Sequence, residues 1–88
     1  MSYKLEFDRQ AVKQLKKMDK AISKMVLGWL YKNVHNTDNP RQQGKALTGD
    51  KKGLWRYRIG NYRAICYIED SKLTILTLQI GHRRDIYK

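Results

Sequence analysis

Residues 54–59 and 62–69 are two alternating runs separated only by Gly60-Asn61, and this block constrains the fold most. A two-residue connection built from types that tolerate positive φ predicts a tight hairpin. It pairs Ile59 with Tyr62, Arg58 with Arg63, Tyr57 with Ala64 and Arg56 with Ile65. Strand side chains alternate between faces, and cross-strand partners share one. Trp55, Tyr57, Ile59, Tyr62, Ala64, Cys66 and Ile68 therefore form an apolar wall. Arg56, Arg58 and Arg63 gather on the other face. Like charges directly opposite each other destabilise a sheet, so Arg58 against Arg63 is costly unless an anion sits among them. The competing reading is a solvated open face, which antiparallel sheets commonly have.

The rest of the chain supplies a cover for the wall. Residues 2–7 read as a strand, with Tyr3, Leu5 and Phe7 alternating with polar neighbours. Asp8 is a good N-cap for a helix near 9–18, with Ala11, Val12, Leu15 and Met18 on one stripe. Asp19 starts a second helix, roughly 20–35, whose Ile22, Met25, Val26, Trp29 and Leu30 follow helical spacing. Gly28 either admits close packing or only weakens that helix. Residues 36–46 are polar, contain the single proline and read as a loop, with Leu47 as an apolar anchor beyond it. Asp70-Ser71 marks the turn into a last strand, 73–80. That strand is apolar on both parities; Leu76, Leu78 and Ile80 are one candidate core set. Gly81 then lets the chain turn, and the tail carries His82, Arg83, Arg84 and Tyr87 toward the arginine face if the strand ends beside Arg63. The fold class is α+β, in the order β-α-α-β-β-β: an antiparallel sheet with an N-terminal helix hairpin packed on one face. Eighty-eight residues make a single domain, 1–88.

Charge narrows the partner. Nineteen Lys and Arg against eight Asp and Glu give +11, which on so small a body suggests a polyanion, with nucleic acid or the ribosome leading. Arg56, Arg58, Arg63, Arg83 and Arg84 are five of the seven arginines, and guanidinium is the fork that binds phosphate bidentately. The helix lysines read as a solvated face. One cysteine, Cys66, excludes an intrachain disulfide and a structural zinc site. No apolar run is long enough for a membrane span, and the N-terminus lacks a signal-peptide stretch, so the expected address is the cytoplasm, with no membrane partner. No carboxylate cluster is expected on the arginine face to hold magnesium, so the chemistry is expected to need neither metal nor cofactor.

The order of elements, the block Gly53-Leu54-Trp55-Arg56-Tyr57-Arg58-Ile59-Gly60-Asn61-Tyr62-Arg63, the segment Lys45-Ala46-Leu47-Thr48-Gly49 and the ending Ile80-Gly81-His82-Arg83-Arg84-Asp85-Ile86-Tyr87 resemble the RelE/ParE superfamily of bacterial toxins along essentially the whole chain. The RelE branch implies a ribosome-dependent endoribonuclease, an mRNA interferase that enters the A site, cuts the message and so inhibits translation. A cognate antitoxin, RelB-like with an acidic segment, would neutralise it, and the 70S ribosome would be its other partner. The resemblance assigns Arg63 and Arg83 to the phosphate-contacting arginines and Tyr87 to the C-terminal tyrosine. Arg56 and Arg58 fall where the best-known member carries lysines. Arginine stays charged and makes a poor general base, which puts the identity of the base in question; His82, an imidazole, is a candidate for it, against a positioning role or none. Arg56, Arg58, Arg63, Arg84, Lys51 and Lys52 would contact RNA. Two other readings stay open: a ParE-type inhibitor of DNA gyrase without nuclease chemistry, and a non-catalytic RNA-binding module.

Overall fold

A computed structural model describes residues 2–86, so Tyr87, expected at the site, lies outside the described residues. Strand β1 (Lys4–Phe7) leads into α1 (Arg9–Lys17) and α2 (Lys20–Asn33). The sheet continues with β2 (Lys45–Ala46), β3 (Trp55–Ile59), β4 (Tyr62–Glu69) and β5 (Thr74–His82), and a last helical turn, α3, covers Arg83–Ile86. The strand order is β1-β5-β4-β3-β2. The sheet is antiparallel from β2 to β5, as expected, whereas β1 lies parallel to β5 and makes the whole sheet mixed. Local alternation marks β1 as a strand but says nothing of its partner.

Both helices start where an aspartate can cap them. Asp8 accepts the Gln10 N–H at 3.2 Å and Asp19 accepts the Ala21 N–H at 2.7 Å, each answering a donor that the first turn leaves open. Ala11, Val26 and Leu30 then face the sheet, where they meet Leu5, Tyr57, Ile59, Ala64, Cys66, Ile68, Ile75 and Ile80 in one buried cluster. Val12 (36% exposed) and Met25 (47%) fall outside it, on the outer side of the hairpin. Gly28 is exposed, and a Cβ there would meet nothing within 4 Å, so it lowers helix propensity without serving a contact.

The hairpin register agrees with the sequence pair by pair, from Trp55 opposite Cys66 to Ile59 opposite Tyr62. Gly60 takes φ 60°, which suits the two-residue hairpin that places glycine first. The last strand departs from the even-numbered set. Ile65 pairs with Gln79 but Cys66 pairs with Thr77, so Leu78 is an extra residue bulged out of β5. Ile75 and Thr77 are therefore buried before the bulge and Ile80 after it, while Leu76 and Leu78 are only half-buried.

Residues 34–46 contain no helix or long strand, yet they are pinned at several points. The Tyr3 N–H donates to Thr37 O at 2.8 Å, the buried Tyr57 hydroxyl donates to Pro40 O at 2.5 Å, and Trp55 Nε1 donates to Gln43 O at 2.8 Å. Gly44 (φ 89°) lets the chain pass over Trp55, because a Cβ there would lie 2.3 Å from Arg56 O.

Candidate functional site

The helices cover one sheet face and leave the other to the arginines. Arg58 and Arg63 stand directly across the β3–β4 ladder, and Gly81 of β5 is the next partner in the same row. The row beside it runs Lys45, Arg56, Ile65, Gln79 across four strands. Directly paired residues share a face, so Lys45 joins Arg56, Arg58 and Arg63. Sequence reasoning gave Lys45 no role; its strand is two residues long and carries no readable alternation.

Arg63 is only 7% exposed, unusual for a residue type normally found in solvent. Gly81 opposite presents no side chain, and α3 packs against β4 and β5. The Arg63 Nη1 donates to Tyr62 O at 3.2 Å and, more weakly, to Gly60 O at 3.4 Å. Arg83, the first residue of α3, donates its backbone N–H to Asn61 O at 2.9 Å. The Arg63 side chain and the Arg83 backbone are thus both tied to carbonyls at or next to the turn that joins β3 to β4. Arg58 is exposed and Arg56 half-buried.

Other candidates lie elsewhere. Lys51 and Lys52 sit in the connection before β3, at the end of that strand away from Gly60; Lys51 O accepts the Leu54 N–H at 3.1 Å. Arg84 is exposed on α3. His82 pairs in register with Tyr62, and the two rings meet edge to face with centroids 5.5 Å apart. Since Tyr62 belongs to the helix-covered wall, the imidazole stands on the opposite sheet face from Arg63. The strand does end beside Arg63, but it is Gly81 that occupies that position.

Cys66 offers no nucleophile. Burial pushes its thiol up to about 12, with only partial offset from its hydrogen bond to Thr77 Oγ1 at 3.6 Å. Among the described residues, no group of three or more His, Cys, Asp or Glu is placed to hold a metal, and no helix is long and apolar enough to cross a membrane. The arrangement gathers Arg56, Arg58, Arg63 and Lys45 on one sheet face, with the Arg63 guanidinium held by backbone carbonyls, chemistry suited to phosphate.

Known proteins share this architecture from end to end. Toxin RelG of Mycobacterium tuberculosis is 30% identical over 88 residues, spanning 100% of this chain and 99% of that protein. A chain in the crystal structure of the toxin–antitoxin complex RelBE2 from Mycobacterium tuberculosis is 27% identical, with a TM-score of 0.85 over 97% of this chain and 95% of that one. A chain of the archaeal RelE–RelB complex from Pyrococcus horikoshii OT3 is 26% identical, with a TM-score of 0.66 over 97% and 99% of the two chains. Residues 5–87 match the family model described as the ParE toxin of type II toxin–antitoxin systems. With family model, relative and fold in agreement over nearly the full length, the chain belongs to the RelE/ParE family of type II toxin–antitoxin toxins.

Proposed function

We propose that this toxin is a ribosome-dependent endoribonuclease that cleaves mRNA in the A site and so inhibits translation. The observation that carries the reading is the Arg58–Arg63 pair, with Arg63 buried and fixed by its own turn on the face the helices leave open. RNA supplies its own nucleophile. The 2′-oxygen bonds to the adjacent phosphorus as the P–O5′ bond breaks; one proton leaves O2′ and another reaches O5′. The protein's task is to hold the phosphate in line and to meet the charge that builds on its oxygens, usually the largest catalytic contribution. Arg63 and Arg83 take that role, with Arg56, Arg58 and Lys45 beside them. Tyr87 is proposed to orient or stack on the RNA. Arg84, Lys51, Lys52 and the helix lysines add affinity for ribosomal RNA without sequence choice.

The proposed partners are the 70S ribosome in the cytoplasm and a RelB-like antitoxin. The two similar solved chains were each crystallised in a toxin–antitoxin complex, and a net charge of +11 suits an acidic segment laid over the arginine face. A second reading, inhibition of DNA gyrase, has one point in its favour: the matching family model is the one described for ParE. The test is induction of the toxin followed by primer extension on cellular mRNA. Codon-phased cuts that require ribosomes are expected. Intact message with DNA damage would replace this reading by the second.

A further inference from the structure

The junction between β5 and α3 holds a side chain whose task the catalytic reading leaves unexplained. A helix begins with backbone N–H groups that have no partner within it. At α1 and α2 an aspartate two residues earlier accepts one of them: Asp8 from Gln10 at 3.2 Å and Asp19 from Ala21 at 2.7 Å. At α3 the same place is held by His82, whose Nδ1 accepts the Arg84 N–H at 3.2 Å. The preceding donor, the Arg83 N–H, goes to Asn61 O at 2.9 Å. The first two donors of the turn are therefore answered, one by the β3–β4 turn and one by an imidazole.

The ring itself is held. It meets Tyr62 edge to face at 5.5 Å and lines a surface cavity of about 330 Å³ with Gln14, Lys17 and Met18. A neutral imidazole that accepts at Nδ1 carries its proton on Nε2. So the acceptor nitrogen is engaged with the backbone, and the ring lies on the side of the sheet opposite Arg63.

We propose that His82 is a positioning residue: its imidazole caps α3 and thereby sets Arg83 beside the turn that holds Arg63. The role rests on the nuclease reading for its effect on cleavage, but the cap itself does not. A general base and a cap answer differently to asparagine. Its side-chain oxygen accepts from a helix's second N–H as well as any residue's does, yet it takes no proton from RNA.

The experiment compares His82→Asn and His82→Ala with the parent toxin, by mRNA cleavage on ribosomes and by hydrogen exchange of the Arg84 amide in the free protein. His82→Ala is expected to cleave about fivefold more slowly, the size of a lost cap, with faster exchange at Arg84. His82→Asn is expected to recover both. Cleavage lost about 100-fold or more in both variants would make His82 the base and overturn the proposal. Unchanged exchange in His82→Ala would overturn it as well. A parent chain that cleaves no mRNA would defeat the nuclease reading, and the Arg84 exchange would still decide the cap.

Discussion

Arg41 and Arg63 each tie together parts of the molecule, in different electrostatic company. Arg41 leaves the loop after Pro40 and grips Asp70 with both arms, Nη1 to Oδ1 and Nη2 to Oδ2 at 3.0 Å each. Tyr3 donates its hydroxyl to the same carboxylate at 2.6 Å, so the residue before β1, the loop and the β4–β5 turn meet at one group. Arg63 directs its Nη1 to backbone carbonyls and faces a second arginine across the ladder. The exposed site is a closed ion pair whose fork is already matched to a carboxylate. At the buried one, Arg58 directly across the ladder adds a second positive charge, which favours an anion at this face.

The largest expected effect comes from removing the second arginine. Arg63→Ala should lower ribosome-dependent cleavage about 100-fold or more, as loss of a preorganised charge donor does, while antitoxin binding persists. Arg63→Lys separates charge from geometry, since it keeps the charge without the planar fork; partial recovery is expected in the same cleavage assay. Full toxicity of Arg63→Ala would erase the distinction between the two arginines.

A sharper test reverses the charge that faces Arg63. Arg58→Glu places opposite charges across the strand pair and should stabilise the fold by ~0.5 kcal/mol in urea unfolding. The same change should lower cleavage at least about tenfold, because it replaces a phosphate-attracting charge with a repelling one. Activity and stability moving in the same direction would contradict the comparison.

The Arg41 side predicts stability effects alone. Tyr57→Phe removes the buried hydroxyl that holds Pro40 O and should cost about 1 kcal/mol in chemical denaturation. The smallest effect is expected at Asp70. The Arg41 guanidinium, and then the Tyr3 hydroxyl, lower its carboxyl from 3.8 to about 2. A depressed carboxylate contributes stability above its unfolded value, and loses it as pH falls toward the folded one. The melting midpoint should therefore drop between about pH 4 and pH 2, with a shallower drop in Arg41→Gln and in high salt.

The legibility of these regions in the sequence follows from how local their causes are. Gly60-Asn61 fixes the register of β3 and β4 without help from the rest of the chain, so the Arg58–Arg63 pair and the apolar wall could be read directly. Asp8 and Asp19 likewise place the helix starts. The partner of β1 depends on packing across seventy residues of sequence, and no alternation encodes it. Strand β2 is too short to show a period, which hid Lys45. In β5 both parities are apolar, so neither the bulge nor the face of His82 could be read, and the imidazole was expected on the arginine side.

The bulge at Leu78 gives β5 some slack. The pairs on either side of it, Cys66 with Thr77 and Ile65 with Gln79, follow each other without interruption on β4, so one residue of β5 is surplus to the ladder. A chain shortened by one residue here can straighten the strand and still bring Gly81 against Arg63. An insertion has no such reserve: it must widen the loop-out or push the tail one step along, which would set a different residue opposite Arg63 and carry α3 away from Asn61. Length variation at this strand is thus expected to be one-sided, with loss tolerated and gain not.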